Sequence, residues 1–212
     1  MTHRRSRLAA LIAAAGIATT LASPAAAVTV TIEHDTLQFA DAFVGDIGTR
    51  VGPVTDVTLT ESFFGVPVLL YSSSNFTAIT CDDGSEGLAG TERLGVAENP
   101  AAAFDQQKVA FARASATIQV VDSLIDTCAQ TSIQTGSGTV SVALDLVGSG
   151  PIVRDSFISK SGIPGFFLQR WPEQLRSRAG TGSITVDGVS TAIPAANGFI
   201  GYSHGVNHVI EH

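Results

Sequence analysis

Basic side chains are scarce in this chain of 212 residues: 12 Lys and Arg stand against 19 Asp and Glu. The densest basic group, Arg170, Arg176 and Arg178, is interrupted by Glu173. That balance excludes nucleic acid and anionic lipid as expected partners. Cysteine is limited to Cys81 and Cys128, with no His close to either in sequence, so no thiolate metal site is expected. Aromatic side chains other than the 11 Phe come to one Trp and two Tyr. Sugar-binding faces present exposed Trp or Tyr, which leaves Trp171 and Tyr202 as the candidates for a binding surface. Long apolar runs are missing beyond the N-terminus. The best of them, 63–71, is short and holds Gly65 and Pro67, so stable membrane insertion is not expected. The alternation of strand and helix patterns that an α/β enzyme requires is also absent.

What is present begins with an export signature. Arg4, Arg5 and Arg7 form a basic start, residues 8–22 are uncharged, and Ala25-Ala26-Ala27 supplies the small residues that a signal peptidase reads. Cleavage is expected after Ala27, giving a signal peptide over 1–27 and one domain over 28–212. Arg4-Arg5 leaves the twin-arginine route open beside the general one. The residue directly after the cut is Val28 and not Cys, so no lipid anchor is expected, and the product should be secreted and extracellular. Removing the three arginines takes the formal charge from −7 to −10. In an oxidising compartment the two cysteines read as one disulfide, Cys81 to Cys128.

The domain reads as all-β, an antiparallel sandwich or barrel with at most a short helix. Turn signals recur at short intervals between segments of period two. Val28, Val30 and Ile32 share one face. Val57 and Leu59 share another, with Val54 on the opposite side. Residues 64–72 and 75–81 read as strands separated by a turn at Ser72-Ser73-Ser74-Asn75. Val140, Val142, Leu144 and Leu146 give the cleanest alternation, and Gly148-Ser149-Gly150-Pro151 ends it, with 152–159 returning as a hairpin partner. Asn99-Pro100 reads as a helix start or loop before 101–107, followed by a long strand over 108–121. Trp171-Pro172 reads as a loop or bulge between 166–170 and 175–179. Residues 180–186 form a further strand, with Asp187-Gly188 as its turn.

The stretches 113–120, Cys128, 140–154 (VSVALDLVGSGPIVR) and 176–186 resemble a loosely defined set of exported bacterial all-β proteins with no assigned function. The resemblance implies a secreted β-fold over the C-terminal half and carries no active-site residues.

Three constellations bear on chemistry. Gly201-Tyr202-Ser203-His204-Gly205 satisfies G-x-S-x-G, the strand-to-helix elbow of α/β-hydrolases. Residues 206–212 are placed to begin the helix, but too few residues follow Ser203 to bring back an acid and a His. His204, His208 and His212 share a face at four-residue spacing, and His34 could join them from elsewhere in the fold. Neighbouring members could chelate zinc, copper or nickel, but the outer two are too far apart to share an ion. Asp82, Asp83, Ser85 and Glu86 form an acidic turn without the spacing of a calcium loop. Phe63-Phe64 and Phe166-Phe167 send one ring to each face of a strand, which fits two-sided burial or an apolar patch. No cofactor is expected. The reading is a secreted, non-enzymatic domain that binds an extracellular ligand or a cell-envelope component. The alternatives are an extracellular hydrolase using Ser203 or a carboxylate pair that nothing in the sequence singles out, and an apolar-ligand carrier with an interior cavity.

Overall fold

The computed structural model describes residues 28–61, 66–105, 108–163 and 167–211, with backbone alone at 28–35, 157–163, 167–173 and 206–211. Residues 1–27, and the export segment with them, lie outside it, as do Phe63, Phe64, Phe166 and His212. Among the described residues every regular element is a strand. In chain order these are β1 (Val28–Val44), β2 (Gly52–Glu61), β3 (Pro67–Thr80), β4 (Glu86–Glu98) and β5 (Ala101–Phe104). They continue with β6 (Phe111–Asp126), β7 (Thr131–Ile163), β8 (Phe167–Val186), β9 (Val189–Ile193) and β10 (Gly198–Glu211). Neighbouring strands are antiparallel and follow the order β10-β1-β2-β3-β4-β6-β7-β8-β9, with β5 on the side of β6. A second ladder joins β8 to β10, so the path of pairings returns to its start. The disulfide is formed: Cys81 and Cys128, with Cα atoms 5.2 Å apart, tie the turn after β3 to the turn after β6.

Alternation at period two dictates the core. Val57 and Leu59 of β2, Leu69 and Tyr71 of β3, and Ile118 and Val120 of β6 point to one side. They meet Val140, Val142, Leu144 and Leu146 of β7, with Ile184 and Ile200 from β8 and β10. Ala40, Ala42, Ala112 and Ala114 fill the narrower spaces between them. Each fully buried Leu or Ile contributes ~1.5–3 kcal/mol relative to exposure. Val54 and Phe76 are buried outside this cluster. Each has the opposite parity to its strand's core residues, so β2 and β3 bury one face over most of their length and the other face at the end near Val54. Asp187 and Gly188, with φ of 47° and 82°, make the tight β8–β9 hairpin as expected.

Four expected breaks are absent, each for a reason of pairing. Ser72, Ser73, Ser74 and Asn75 are strand residues, hydrogen-bonded to β2 on one side and β4 on the other. The buried face changes hands here, so small polar side chains cost little. Residues 101–104 are β5 and not a helical turn, because pairing with Ala112–Ser115 of β6 overrides the helix propensity of Ala. Asn99, at φ 53°, turns the chain instead of capping a helix. Gly148-Ser149-Gly150-Pro151 bends β7 without reversing it. The register to β8 slips between Ser149 and Val153, Gly150 takes φ 71°, and Arg178 Nη2 donates to the Gly150 carbonyl at 2.7 Å. This is a bulge, and Pro151 is tolerated because the β6 ladder has already ended at Val147. The partner of 153–159 is therefore β8. Finally, β8 runs unbroken through Trp171 and Pro172. Its ladder to β10 has partners at Arg170 and Glu173 but none at 171 or 172, so the missing N–H of Pro172 falls where pairing lapses.

Candidate functional site

At its C-terminal end β10 also corrects the sequence: residues 206–211 are strand, paired with β1 and β8, and no helix follows Gly205. Ser203 is therefore mid-strand, opposite Leu37 on one side and Leu175 on the other, and 7% exposed. A nucleophile elbow needs a sharp strand-to-helix turn, which this backbone does not make. The first glycine of the pentapeptide has a steric role instead. Gly201 lies opposite Phe39, and a Cβ there would run into the Phe39 ring. That ring stacks on Phe199 with centroids 5.4 Å apart.

The other face of β10 is richer. Ile200 is fully buried in the core, so Tyr202 and His204, two and four residues on, continue the core-facing side beyond it. Cross-strand register extends this into two rows. In the first, Arg154 is opposite Arg176, Arg176 opposite Tyr202, Tyr202 opposite Gln38, and Gln38 opposite Glu61. In the second, Ser156 is opposite Gln174, Gln174 opposite His204, and His204 opposite Thr36. The Arg176 guanidinium lies 6.0 Å from the Tyr202 ring centroid, and Tyr202 stacks with His204 at 6.5 Å. Tyr202 is half-buried and packs against the core.

The Gln38 side chain is buried, 3% exposed; its Nε2 donates to Glu61 Oε2 and its Oε1 has no hydrogen-bond partner. One step nearer the core, Arg178 is opposite Ile200, and its buried Nε likewise has no partner. A concavity of about 450 Å³ adjoins the rows, lined by Arg154, Asp155, Ser156, Gln174, Leu175 and Arg176. Asp155 has the opposite parity from Arg154, and its carboxylate accepts from the Ser156 N–H at 2.7 Å.

At the opposite end of β2, β3, β4 and β6 is a second groove, of about 440 Å³, lined by Ser73, Asn75, Thr91, Arg93 and Asp122 among others. Its charges are matched: Arg93 and Asp122 form a two-point ion pair at 2.6 and 3.2 Å. The Asp122 carboxyl is lowered by the hydrogen bond from Arg93. The acidic turn lines a third concavity beside the disulfide, with Asp82, Asp83, Ser85, Glu86 and Asp126. There the Asp83 carboxylate accepts from the Ser85 N–H and hydroxyl, which lowers its pKa, and Asp126 accepts from the Ala129 N–H. Both carboxylates thus close their own turns.

On the outer face of β1 and β2 a carboxyl pair emerges that no motif marks. Asp56 is raised to about 7, first by burial, then by the charge of Asp41 and a hydrogen bond with it, against the pull of Arg50. Asp41 also accepts from Thr58 Oγ1 at 2.9 Å.

Of the residues singled out in sequence, Tyr202 and His204 are brought together with the arginines. The side chains of Trp171, His208 and His34 lie outside those described, and His212 lies outside altogether. Among the described residues no group of three or more His, Cys, Asp or Glu is arranged around a common ion. Arg154, Gln174 and Gln38 were not anticipated. The available signal was the alternation Gln174, Arg176, Arg178 along one strand face. No protein family, curated protein or solved structure matches this chain.

Proposed function

We propose that residues 28–212 form an exported, non-enzymatic domain that binds or scaffolds at the cell exterior, its strands closed into one barrel. The β8–β10 ladder supports closure, because it leaves the main ring of pairings without a terminal strand. The three-part N-terminus and the joined cysteines support export. The observation that carries the binding role is the pair of registered polar rows beside the concavity at Arg154 and Arg176, presented on continuous strands. The partner is an extracellular ligand or a cell-envelope component. Burial of Ser203 in mid-strand weighs against the hydrolase. A carrier of apolar ligands needs an open interior, and Leu59, Leu69, Ile118, Leu144 and Ile200 pack fully buried on one another there.

Two measurements test this reading. Mass spectrometry of the culture medium should find a chain that starts at Val28; a product kept inside the cell with 1–27 attached removes the export step. The purified chain, disulfide intact, should sediment with washed cell-envelope material and leave ester and glycoside reporter substrates unchanged. Turnover that disappears in Ser203→Ala overturns the binding reading, and so does a chain that stays in the supernatant.

A further inference from the structure

We propose that the Cys81–Cys128 disulfide is a charge-gated redox site, opened reversibly by a thiol reductant that carries positive charge or none and resistant to thiols that carry negative charge. It lies at the end of the strands away from Arg154 and Arg176 and does not depend on the binding reading above. The first ground is access. Both cysteines are half-buried, and both line a concavity of about 750 Å³ between the turn after β3 and the turn after β6. Behind them stands Gly87 of β4, where a Cβ would meet Cys128 Sγ at 2.5 Å and Cys81 Sγ at 3.0 Å. Glycine makes room for the sulfurs on the strand side, while the concavity borders the cysteines on the other.

The second ground is charge. Asp82, Asp83, Glu86 and Asp126 line the same concavity, and among the described residues no Lys or Arg does. The nucleophile in disulfide exchange is a thiolate, so the attacking group is itself negative. Fixed carboxylates around the target repel a thiol that bears a further negative charge and attract one that bears an ammonium group. They also disfavour the cysteine thiolate that leaves, which slows every thiol alike. The third ground is that each turn holds its shape without the link. The Cys81 N–H donates to the Ser85 carbonyl and the Gly84 N–H to the Cys81 carbonyl, both at 2.9 Å. On the other side the Thr127 N–H donates to the Leu88 carbonyl at 3.0 Å, and Thr127 Oγ1 accepts from the Leu88 N–H at 2.8 Å. The turn after β6 is thus held to β4 by its own hydrogen bonds, and the two cysteines stay placed to close again. In the first step a thiolate attacks one sulfur, the Cys81–Cys128 bond breaks, and a mixed disulfide forms beside a cysteine thiolate. A second thiolate then attacks the reductant's sulfur and releases the other cysteine. Two electrons pass to the protein, both cysteines take up protons, and two reductant thiols leave as one disulfide.

The test is the rate at which three small thiols reduce the full chain: cationic cysteamine, neutral 2-mercaptoethanol and anionic mercaptoacetate. Alkylation and mass spectrometry count the cysteines released. Each rate is divided by that of the same thiol with a neutral small disulfide, which removes intrinsic differences in thiol reactivity. On that scale cysteamine is expected to react about tenfold faster than mercaptoacetate at low salt, with 2-mercaptoethanol between them, and the spread should collapse as salt is raised. D82N with E86Q should narrow the spread. E98Q with D145N, the same change of net charge far along β4 and β7, should leave it unchanged. The reduced chain should keep its strand signal and regain the link when cystamine, the oxidised form of cysteamine, is supplied. Equal normalised rates for the three thiols overturn the proposal. So does a spread that salt leaves untouched, or one that the remote pair of substitutions narrows as much as D82N with E86Q. Loss of the strand signal on reduction overturns it as well, because the link is then structural alone. The salt series on the parent chain keeps the test decisive if the variant carrying D82N and E86Q fails to fold.

Discussion

Asp56 shows how one residue couples the fold to pH. Burial beside Asp41 lifts its carboxyl from 3.8 to about 7 in the folded chain. Between those values the folded state holds a proton that the unfolded state has lost, so stability falls as pH rises through the window and levels off above it. Asp56→Asn keeps a neutral side chain at every pH. It should match the parent near pH 4 and melt at a higher temperature at about pH 8, as thermal scans at the two values would show. A parent chain whose melting temperature rises over this range would contradict the assignment. The carboxyl pair was illegible in sequence, because Asp41 and Asp56 become neighbours only through the register that places Phe43 opposite Asp56 and Asp41 opposite Thr58.

At the scale of elements, the β8–β9 hairpin is anchored by its turn residue. The Asp187 N–H donates to the Ser141 carbonyl at 2.8 Å, and its carboxylate accepts from the Ser141 N–H at 2.8 Å. The same residue holds a positive φ, which Asp tolerates better than Ala. Asp187→Ala therefore loses the clamp onto β7 and adds backbone strain, and should cost ~1–2 kcal/mol in a denaturant titration. Asp187→Asn, which keeps the acceptor and the turn preference, should cost distinctly less. The turn was legible because Asp-Gly between alternating segments is a local signal. The passage of β3 through three serines and of β7 through Gly-Ser-Gly-Pro was not. Those residues signal turns where they stand alone, and become strand where partners on one or both sides take up their backbone groups.

For the molecule as a whole, the disulfide and the β8–β10 ladder act on different parts. Cys81–Cys128 closes a sequence separation of 47 and joins two turns. Chain entropy values such a link at about 4 kcal/mol. Replacing both cysteines with Ala should lower the denaturant midpoint, with a loss of roughly 2–4 kcal/mol of stability, and leave the strand signal of the folded chain intact. If the strands form a closed barrel, as proposed, the amides of Ile200 and Tyr202 in β10 belong to the ring and not to an edge. Hydrogen exchange should then protect them as strongly as those of Leu144 and Ile184, through global unfolding alone. Fast exchange along β10 with protection elsewhere would instead mark an open sheet.

By itself the sequence determined the all-β class, the inward sets such as Val140, Val142, Leu144 and Leu146, and the pairing of its two cysteines. A period of two and a count of two are local properties, read without knowing any neighbour. Tertiary structure alone decided which strands adjoin, where each one continues past a turn-forming residue, and which polar side chains share a row. Arg154, Arg176, Tyr202 and Gln38 come from four separate strands. Their meeting is set by the ladder register, which long-range pairing fixes and no short window of sequence contains.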